Sequence, residues 1–90
     1  MNDNLKFAIE ELDYLMKRVA RVHGHEHPEL IEISDEYDEF KANLLNNKDL
    51  ALKMLNSFKT KTNDFTLPAD ACQAYERVFK AFKIIENELE

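Results

Sequence analysis

The sequence has the length and composition of one small, folded, acidic domain. Its 90 residues suffice for a single core, and 44% hydrophobic with 33% charged residues is typical of a globule, not of a disordered tail. Eighteen Asp and Glu against twelve Lys and Arg give a net charge of −6, and seven of the acids lie between Arg21 and Lys41, where no Lys or Arg occurs. This surface would repel phosphate backbones, so we expect no nucleic-acid partner.

Cysteine usage and hydropathy predict a cytoplasmic protein. Cys72 is the only cysteine, so no disulfide can form within the chain, which suits a reducing compartment. No apolar run approaches the roughly 20 residues that span a bilayer. The residues after Met1 lack the basic region and hydrophobic stretch of a signal peptide. We therefore expect no membrane partner.

The spacing of apolar residues predicts a first helix over about residues 4–23. Asp3 or Asn4 is expected to cap its start. Gly24, the only glycine, is expected to end it in the left-handed conformation. The apolar positions recur at steps of three and four, as on one buried helical face, and are Leu5, Ala8, Ile9, Leu12, Leu15, Met16, Val19 and Val22.

Two further helices are predicted over about residues 28–45 and 48–62. Pro28 suits the first position of the second helix, where proline loses no hydrogen bond. Asn46-Asn47 indicates a break followed by a cap. The expected core positions are Leu30, Ile33, Tyr37, Phe40 and Leu44 in the second helix, and Ala51, Met54, Leu55 and Phe58 in the third.

A fourth helix is predicted over about residues 67–89, with Pro68 marking its start. Its apolar stripe is Ala71, Tyr75, Val78, Phe82, Ile85 and Leu89, widened by Cys72 and Phe79. No segment alternates with period two, so we expect no sheet. The chain is therefore predicted to be a single all-α domain over residues 1–90, folded as an antiparallel up-and-down four-helix bundle.

Three histidines, His23, His25 and His27, lie within five residues and are candidate metal ligands. A loop could bring two of them onto one zinc, nickel or copper ion. We favour a structural role, because His23 suits the end of one helix and His27 the start of the next. No helix carries an inward histidine, so a di-metal centre in the bundle core lacks its ligands.

Cys72 is the candidate nucleophile, and we expect it to be a core residue instead. It joins the apolar stripe of helix four, and no histidine is near it in sequence. A chain with one glycine cannot form a glycine-rich phosphate loop, and no serine has a nucleophile-elbow context. We therefore assign no catalytic, cofactor-binding or metal-binding residue and expect no cofactor.

Two stretches carry a resemblance to a known family. Val19-Ala20-Arg21-Val22-His23-Gly24 with His27-Pro28-Glu29-Leu30 resembles the first helix-turn of the hemerythrin-like domain in the di-iron iron–sulfur cluster repair (RIC) proteins. Thr62-Asn63-Asp64-Phe65-Thr66-Leu67-Pro68 with Asp70-Ala71-Cys72-Gln73-Ala74-Tyr75 resembles that family's Thr-Asn-Asp-Phe-Thr-Pro-Pro segment and the helix start that follows it. The resemblance covers most of residues 12–89.

The resemblance implies a hemerythrin-like bundle in a shortened form that lacks the iron ligands. The family repairs clusters damaged by oxidative or nitrosative stress, using a non-haem di-iron centre held by histidines and glutamates near one end of the bundle. The corresponding positions fall at or before Met1, near Leu45-Asn46-Asn47, near Asp49 and past Glu90. No family ligand can be carried onto a residue here, and His23 and His27 match a turn that is not the family's metal site.

The function expected from these observations is a non-enzymatic helical interaction module, linked by ancestry to iron–sulfur or stress pathways. Its protein partner is unknown. Shortened helices bury less area, so a homodimer is also expected, through apolar residues outside the stripes: Tyr14, Ile31, Leu52 and Ile84. Two alternatives stay open. One is a cluster-repair or oxygen- or nitric-oxide-sensing metalloprotein whose metal is bound by other residues, and the other is a metal-carrying loop at His23, His25 and His27.

Overall fold

The computed structural model describes residues 2–90, which form four α-helices and, within that range, no strand. The helices are α1 (Asp3–His23), α2 (Glu29–Asn46), α3 (Lys48–Lys61) and α4 (Gln73–Leu89). The prediction of an all-α four-helix bundle is confirmed, and the first three helices agree with their predicted ranges to within one residue at each end. Within residues 2–90, no helix combines the length and the apolar character that crossing a membrane requires.

The helices run alternately up and down, and each contacts its neighbour in chain order. Contacts between α1 and α4 show the antiparallel arrangement: His23 meets Cys72 at one end, and Asn2 and Asn4 donate to the Glu88 carboxylate at the other. The α1–α4 contact is the most extensive in the bundle, and the α3–α4 contact is the sparsest.

The core is a continuous apolar cluster with aromatic rings at its centre. Phe40, Phe58 and Phe82 pack with ring centroids 5.3–6.1 Å apart. The predicted stripes supply most of the buried side chains. Among residues 2–90, Ser34 and Thr62 are the only buried polar ones. Each fully buried large apolar side chain stabilises the fold by roughly 1.5–3 kcal/mol.

Of the two predicted N-terminal caps, that of α1 is wrong in its residue and that of α3 is confirmed. Asn2, not Asp3 or Asn4, caps α1, and its Oδ1 accepts from the Leu5 N–H at 2.7 Å. Asn47 caps α3 as predicted, accepting from the Leu50 N–H at 3.2 Å. In both helices the amide oxygen satisfies a backbone donor that has no partner within the helix.

The prediction of a left-handed Gly24 is wrong, because its φ is −62° and its N–H still bonds the Ala20 carbonyl. Glycine is required here for close packing. A Cβ at this position would lie 2.3 Å from the Ala20 oxygen and 2.5 Å from Cγ1 of Ile31. The turn between α1 and α2 is therefore tight because the Ala20 carbonyl and the Ile31 side chain both occupy the space that a side chain at position 24 would need.

The predicted start of helix four is also wrong, because α4 begins at Gln73, six residues later than expected. Residues 62–72, named here the 62–72 loop, leave α3 through three left-handed residues, Asn63, Asp64 and Phe65, with φ of 53°, 64° and 54°. Pro68 therefore lies in a loop and does not open a helix.

Burial of Phe65 accounts for the left-handed turn that opens this loop. The left-handed turn directs its ring into the core, where it stacks on Phe82 with centroids 5.3 Å apart and an interplanar angle of 6°. Thr62 supports the turn, since its hydroxyl donates to the Phe58 carbonyl at 2.9 Å and accepts from the Phe65 N–H at 3.0 Å.

Candidate functional site

The side chains that could bind a metal ion or take part in a reaction meet where the α1–α2 turn contacts the 62–72 loop and the start of α4. His23 Nε2 lies 3.2 Å from Cys72 Sγ, and His27 Nε2 lies 3.1 Å from each carboxylate oxygen of Asp70. Both imidazoles pack edge-on against Tyr75, with centroids 5.0 and 5.7 Å away. Antiparallel packing of α4 on α1 thus joins residues more than forty positions apart.

The prediction that Cys72 is a core residue is wrong. Cys72 is exposed and is the residue that immediately precedes α4, because the helix starts later than predicted. Its neighbour His23 is 49 positions away in sequence. The predicted topology could have indicated this pair, because the start of an antiparallel α4 must lie beside the end of α1.

Three donor groups from two segments lie close enough to share one metal ion. Glu26, His27 and Asp70 each offer a ligand atom within 4.8 Å of the others. His25, by contrast, lines a groove between α1 and α2 beside Arg21 and Ile31. Within residues 2–90 the structure brings no three histidine nitrogens together, and only His27 of the three joins a group of metal-ligating side chains.

Charge and burial give Asp70 and Tyr75 definite protonation states at neutral pH. The hydrogen bond with His27 holds the pKa of the Asp70 carboxyl below its usual value, so this group is a carboxylate. Burial, with the charges of Glu29 and Asp70, raises the pKa of Tyr75 to about 12. Tyr75 is therefore a neutral phenol and serves as a packing surface for the two imidazoles.

Among residues 2–90, the side chains buried between the helices include no histidine and no carboxylate. Apart from Ser34 and Thr62, the buried side chains of residues 2–90 are apolar. Two carboxylates approach the interior from α1 and α4 and are ion-paired: Glu11 accepts from Arg77 Nε at 2.8 Å, and Glu86 pairs with Lys59. The Arg77 hydrogen bond also lowers the pKa of Glu11.

No known protein family model matches the chain, and no solved structure matches it.

A second candidate surface is the outer face of α1, defined here as Phe7, Glu10, Tyr14, Arg18 and Arg21. These residues follow one another at steps of three or four, so they form one stripe along the helix. Two of them are exposed aromatics: Phe7 is 53% exposed and Tyr14 is 59% exposed. The Arg18 guanidinium lies over the Tyr14 ring, 4.8 Å from its centroid.

The other residues expected at a dimer surface differ in exposure. Tyr14 and Ile31 are exposed, whereas Leu52 and Ile84 are half-buried. The prediction that Val22 belongs to the buried stripe of the first helix is wrong, because it is 68% exposed, beside the C-terminal end of the outer face of α1. Exposed large apolar side chains are therefore more numerous on α1 than on any other described helix.

Proposed function

We propose that this protein is a non-enzymatic helical interaction module of the cytoplasm, a shortened and metal-free relative of the iron–sulfur cluster repair hemerythrin-like domains. It acts through the outer face of α1. The observation that carries the proposal is the exposure of Phe7 and Tyr14 on one stripe, with Arg18 stacked on the tyrosine. Aromatic residues and arginine are the types most enriched at protein interfaces.

The ancestry is supported by the resemblance of residues 19–30 and 62–75 alone. It connects the module to iron–sulfur or stress pathways without transferring the family's chemistry, because the ligand positions that fall inside this chain, near Leu45-Asn46-Asn47 and near Asp49, hold no histidine. The apolar interior supports the same view, since a centre between helices needs inward histidines and carboxylates.

The geometry of the histidine end also favours binding over catalysis. A pocket of about 290 Å³ lies beside His27, Thr62 and Tyr75, and it is open to solvent. Small-molecule sites usually enclose roughly 300–1,000 Å³ and bury most of their ligand. The imidazoles here are engaged with Asp70 and Cys72 at the surface, where bulk water weakens electrostatic effects on a reacting group.

Site-specific photo-crosslinking tests the proposal. A benzophenone amino acid is introduced at Tyr14 on the outer face of α1, and in a matched variant at Lys80, an exposed residue of α4. In cells of the source organism, we expect a discrete crosslinked product from position 14 that is absent from position 80. Identical products, or none from either position, would reject the outer face of α1 as an interaction surface.

The second candidate function is a metal-binding protein of the cluster-repair or oxygen- or nitric-oxide-stress class. The observation that favours it is the grouping of Glu26, His27 and Asp70 within 4.8 Å. Imidazole with carboxylates suits iron, zinc or nickel.

Metal analysis of protein purified without a histidine tag separates the two candidates. One equivalent of metal, lost in both His27→Gln and Asp70→Asn but kept in His25→Gln, would establish the second candidate. Iron near two per chain would overturn the metal-free relative. Metal content at background in the wild type, with no uptake from added zinc or iron, would remove the second candidate.

A further inference from the structure

We infer that the partner recognised by the outer face of α1 is a second copy of this chain, bound with the two α1 helices antiparallel and a two-fold axis passing beside Tyr14. The inference rests on the proposed function, because it names the partner of the same surface. Three observations carry it: the spacing of residues around Tyr14, the distribution of charge along α1, and the character of the other helix surfaces.

The residues of the outer face of α1 are spaced symmetrically about Tyr14. Glu10 and Arg18 each lie four residues from it, and Phe7 and Arg21 each lie seven residues from it. At 1.5 Å per residue, these are axial offsets of about 6 Å and about 10.5 Å. A two-fold axis at Tyr14 therefore sets Glu10 opposite Arg18 of the second copy. It also sets the Phe7 ring opposite the guanidinium of the second copy's Arg21.

Charge along α1 divides at the same residue. The stretch from Asp3 to Asp13 holds four acids and one base, a net charge of −3, and the stretch from Tyr14 to His23 holds three bases and no acid, a net charge of +3 with His23 neutral. Antiparallel pairing sets each half against its opposite and also aligns the helix dipoles favourably. Parallel pairing would set like charges together.

Among residues 2–90, the charged groups needed for this contact form no ion pair within one copy, and the Arg18 guanidinium lies over the Tyr14 ring. The ion pairs of α1 use residues on its flanks: Asp13 with Lys41, Lys17 with Asp38, and Glu11 with Arg77. Glu10 and Arg21 are exposed and take part in none of the ion pairs found among residues 2–90. Forming the dimer therefore breaks no existing ion pair.

Other surfaces fit a symmetric contact less well. The part of α2 from Glu29 to Glu39 contains six acidic residues, so pairing α2 with a second α2 would bring like charges together. It also contains no exposed aromatic side chain. Within the described part of the chain, α4 exposes no large apolar side chain. The outer face of α1 alone combines exposed aromatic rings with charges of both signs.

The size of the contact predicts a weak, reversible dimer. The 21 residues of α1 span about 31 Å, and one face of one helix buries less than the roughly 800 Å² per partner of stable complexes. Association should therefore depend on protein concentration. It should also weaken as salt screens the Glu10–Arg18 contacts.

Sedimentation equilibrium with two charge-reversal variants tests the inference. Wild-type mass should rise from 10.6 kDa toward twice that value between about 10 μM and about 1 mM protein, a range suited to weak association. Glu10→Arg alone and Arg18→Glu alone each create two like-charge contacts per dimer, so each should weaken self-association at least about tenfold. Mixing the two variants restores both opposite-charge contacts and should restore association.

Matched controls make the same change in net charge elsewhere. Glu39→Arg on α2 and Lys80→Glu on α4 are exposed substitutions and should associate like the wild type. Circular dichroism establishes that each variant is folded. Equal effects of control and test variants, or a mixture that fails to associate, would overturn the antiparallel arrangement.

The result also separates this inference from the proposed function. A wild-type chain that stays monomeric at about 1 mM, far above the concentrations at which ordinary complexes form, overturns the second copy as partner. If position 14 then crosslinks to a different protein, the interaction module stands with another partner. If position 14 gives no product in the same cells, both proposals fail.

Discussion

Phe65 anchors the 62–72 loop, and truncating it to alanine measures how firmly that loop is packed. Its side chain is 1% exposed, stacks on Phe82 and meets Phe79 edge-on with centroids 5.5 Å apart. Holding a bulky residue at φ of 54° opposes folding by roughly 1–2 kcal/mol. Burial of the ring contributes roughly 1.5–3 kcal/mol, and its aromatic contacts roughly 0.5–1.5 kcal/mol each, which more than offsets the backbone term.

Phe65→Ala should therefore lower the free energy of unfolding by about 3–5 kcal/mol, the usual range for a buried phenylalanine. Alanine at a positive φ carries the same backbone penalty as phenylalanine, so the substitution removes packing without relieving strain. A 90-residue domain has a total stability of roughly 5–13 kcal/mol, so this loss is a large fraction of the whole.

Urea denaturation followed by far-ultraviolet circular dichroism gives the free energies directly. Phe7→Ala is the matched control, since the same atoms are removed from a residue that is 53% exposed, and its effect should stay within about 0.5 kcal/mol. A loss below about 1 kcal/mol for Phe65→Ala, where core truncations usually exceed 2 kcal/mol, would refute the packed loop. Such a result would also leave the 62–72 loop without the packing that holds Asp70 next to His27.

Three further predictions address the turn, the α1–α4 contact and the left-handed segment. Gly24→Ala should lower the free energy of unfolding by about 1–3 kcal/mol, because a Cβ meets the Ala20 oxygen; a gain of about 0.4–1 kcal/mol in thermal melts, as for unhindered glycines, would contradict this. Glu11→Gln should lose up to about 1 kcal/mol at neutral pH. Because the folded pKa of Glu11 is depressed below 4.5, the wild-type advantage is present above that pH and should vanish as pH falls through the folded pKa; an advantage that persists in acid would argue against the Arg77 contact. Asp64→Gly should raise the free energy of unfolding by about 0.5–1 kcal/mol, since glycine tolerates a positive φ, and a loss measured by urea denaturation would indicate that the carboxylate is needed.

Regular spacing predicted most of the fold because helical periodicity is a local property. Steps of three and four in α1, α2 and α3 identify buried faces without reference to any other segment. The start of α4 could not be found this way. Leu67, Pro68 and Ala71 satisfy the local rules for a helix, yet they lie in the loop that follows the left-handed turn at Asn63, Asp64 and Phe65, and α4 begins only at Gln73.

The same difference between local spacing and distant contacts decided which residues of the candidate sites could be predicted. Tyr14 was expected at a surface because it falls outside its helix's apolar stripe, and it is exposed. The exposure of Cys72 and the contact of Asp70 with His27 could not be predicted, because both depend on the path of the 62–72 loop. The neighbours of these two residues, His23 and His27, lie 49 and 43 positions away in sequence. Contacts of this kind follow from topology and loop conformation together, neither of which a residue pattern specifies.

The two candidate functions use separate parts of the molecule, so one set of variants can decide between them. Glu10 lies 13 residues before His23, about 20 Å along α1 from the end where His27 meets Asp70. Sites farther apart than about 7–10 Å without shared partners usually act independently. Changes at His27 should therefore alter metal uptake and leave self-association unchanged, and changes at Glu10 should do the reverse. If one variant lost both properties, metal binding and self-association would be coupled through α1. The separation of the two surfaces argues against such coupling.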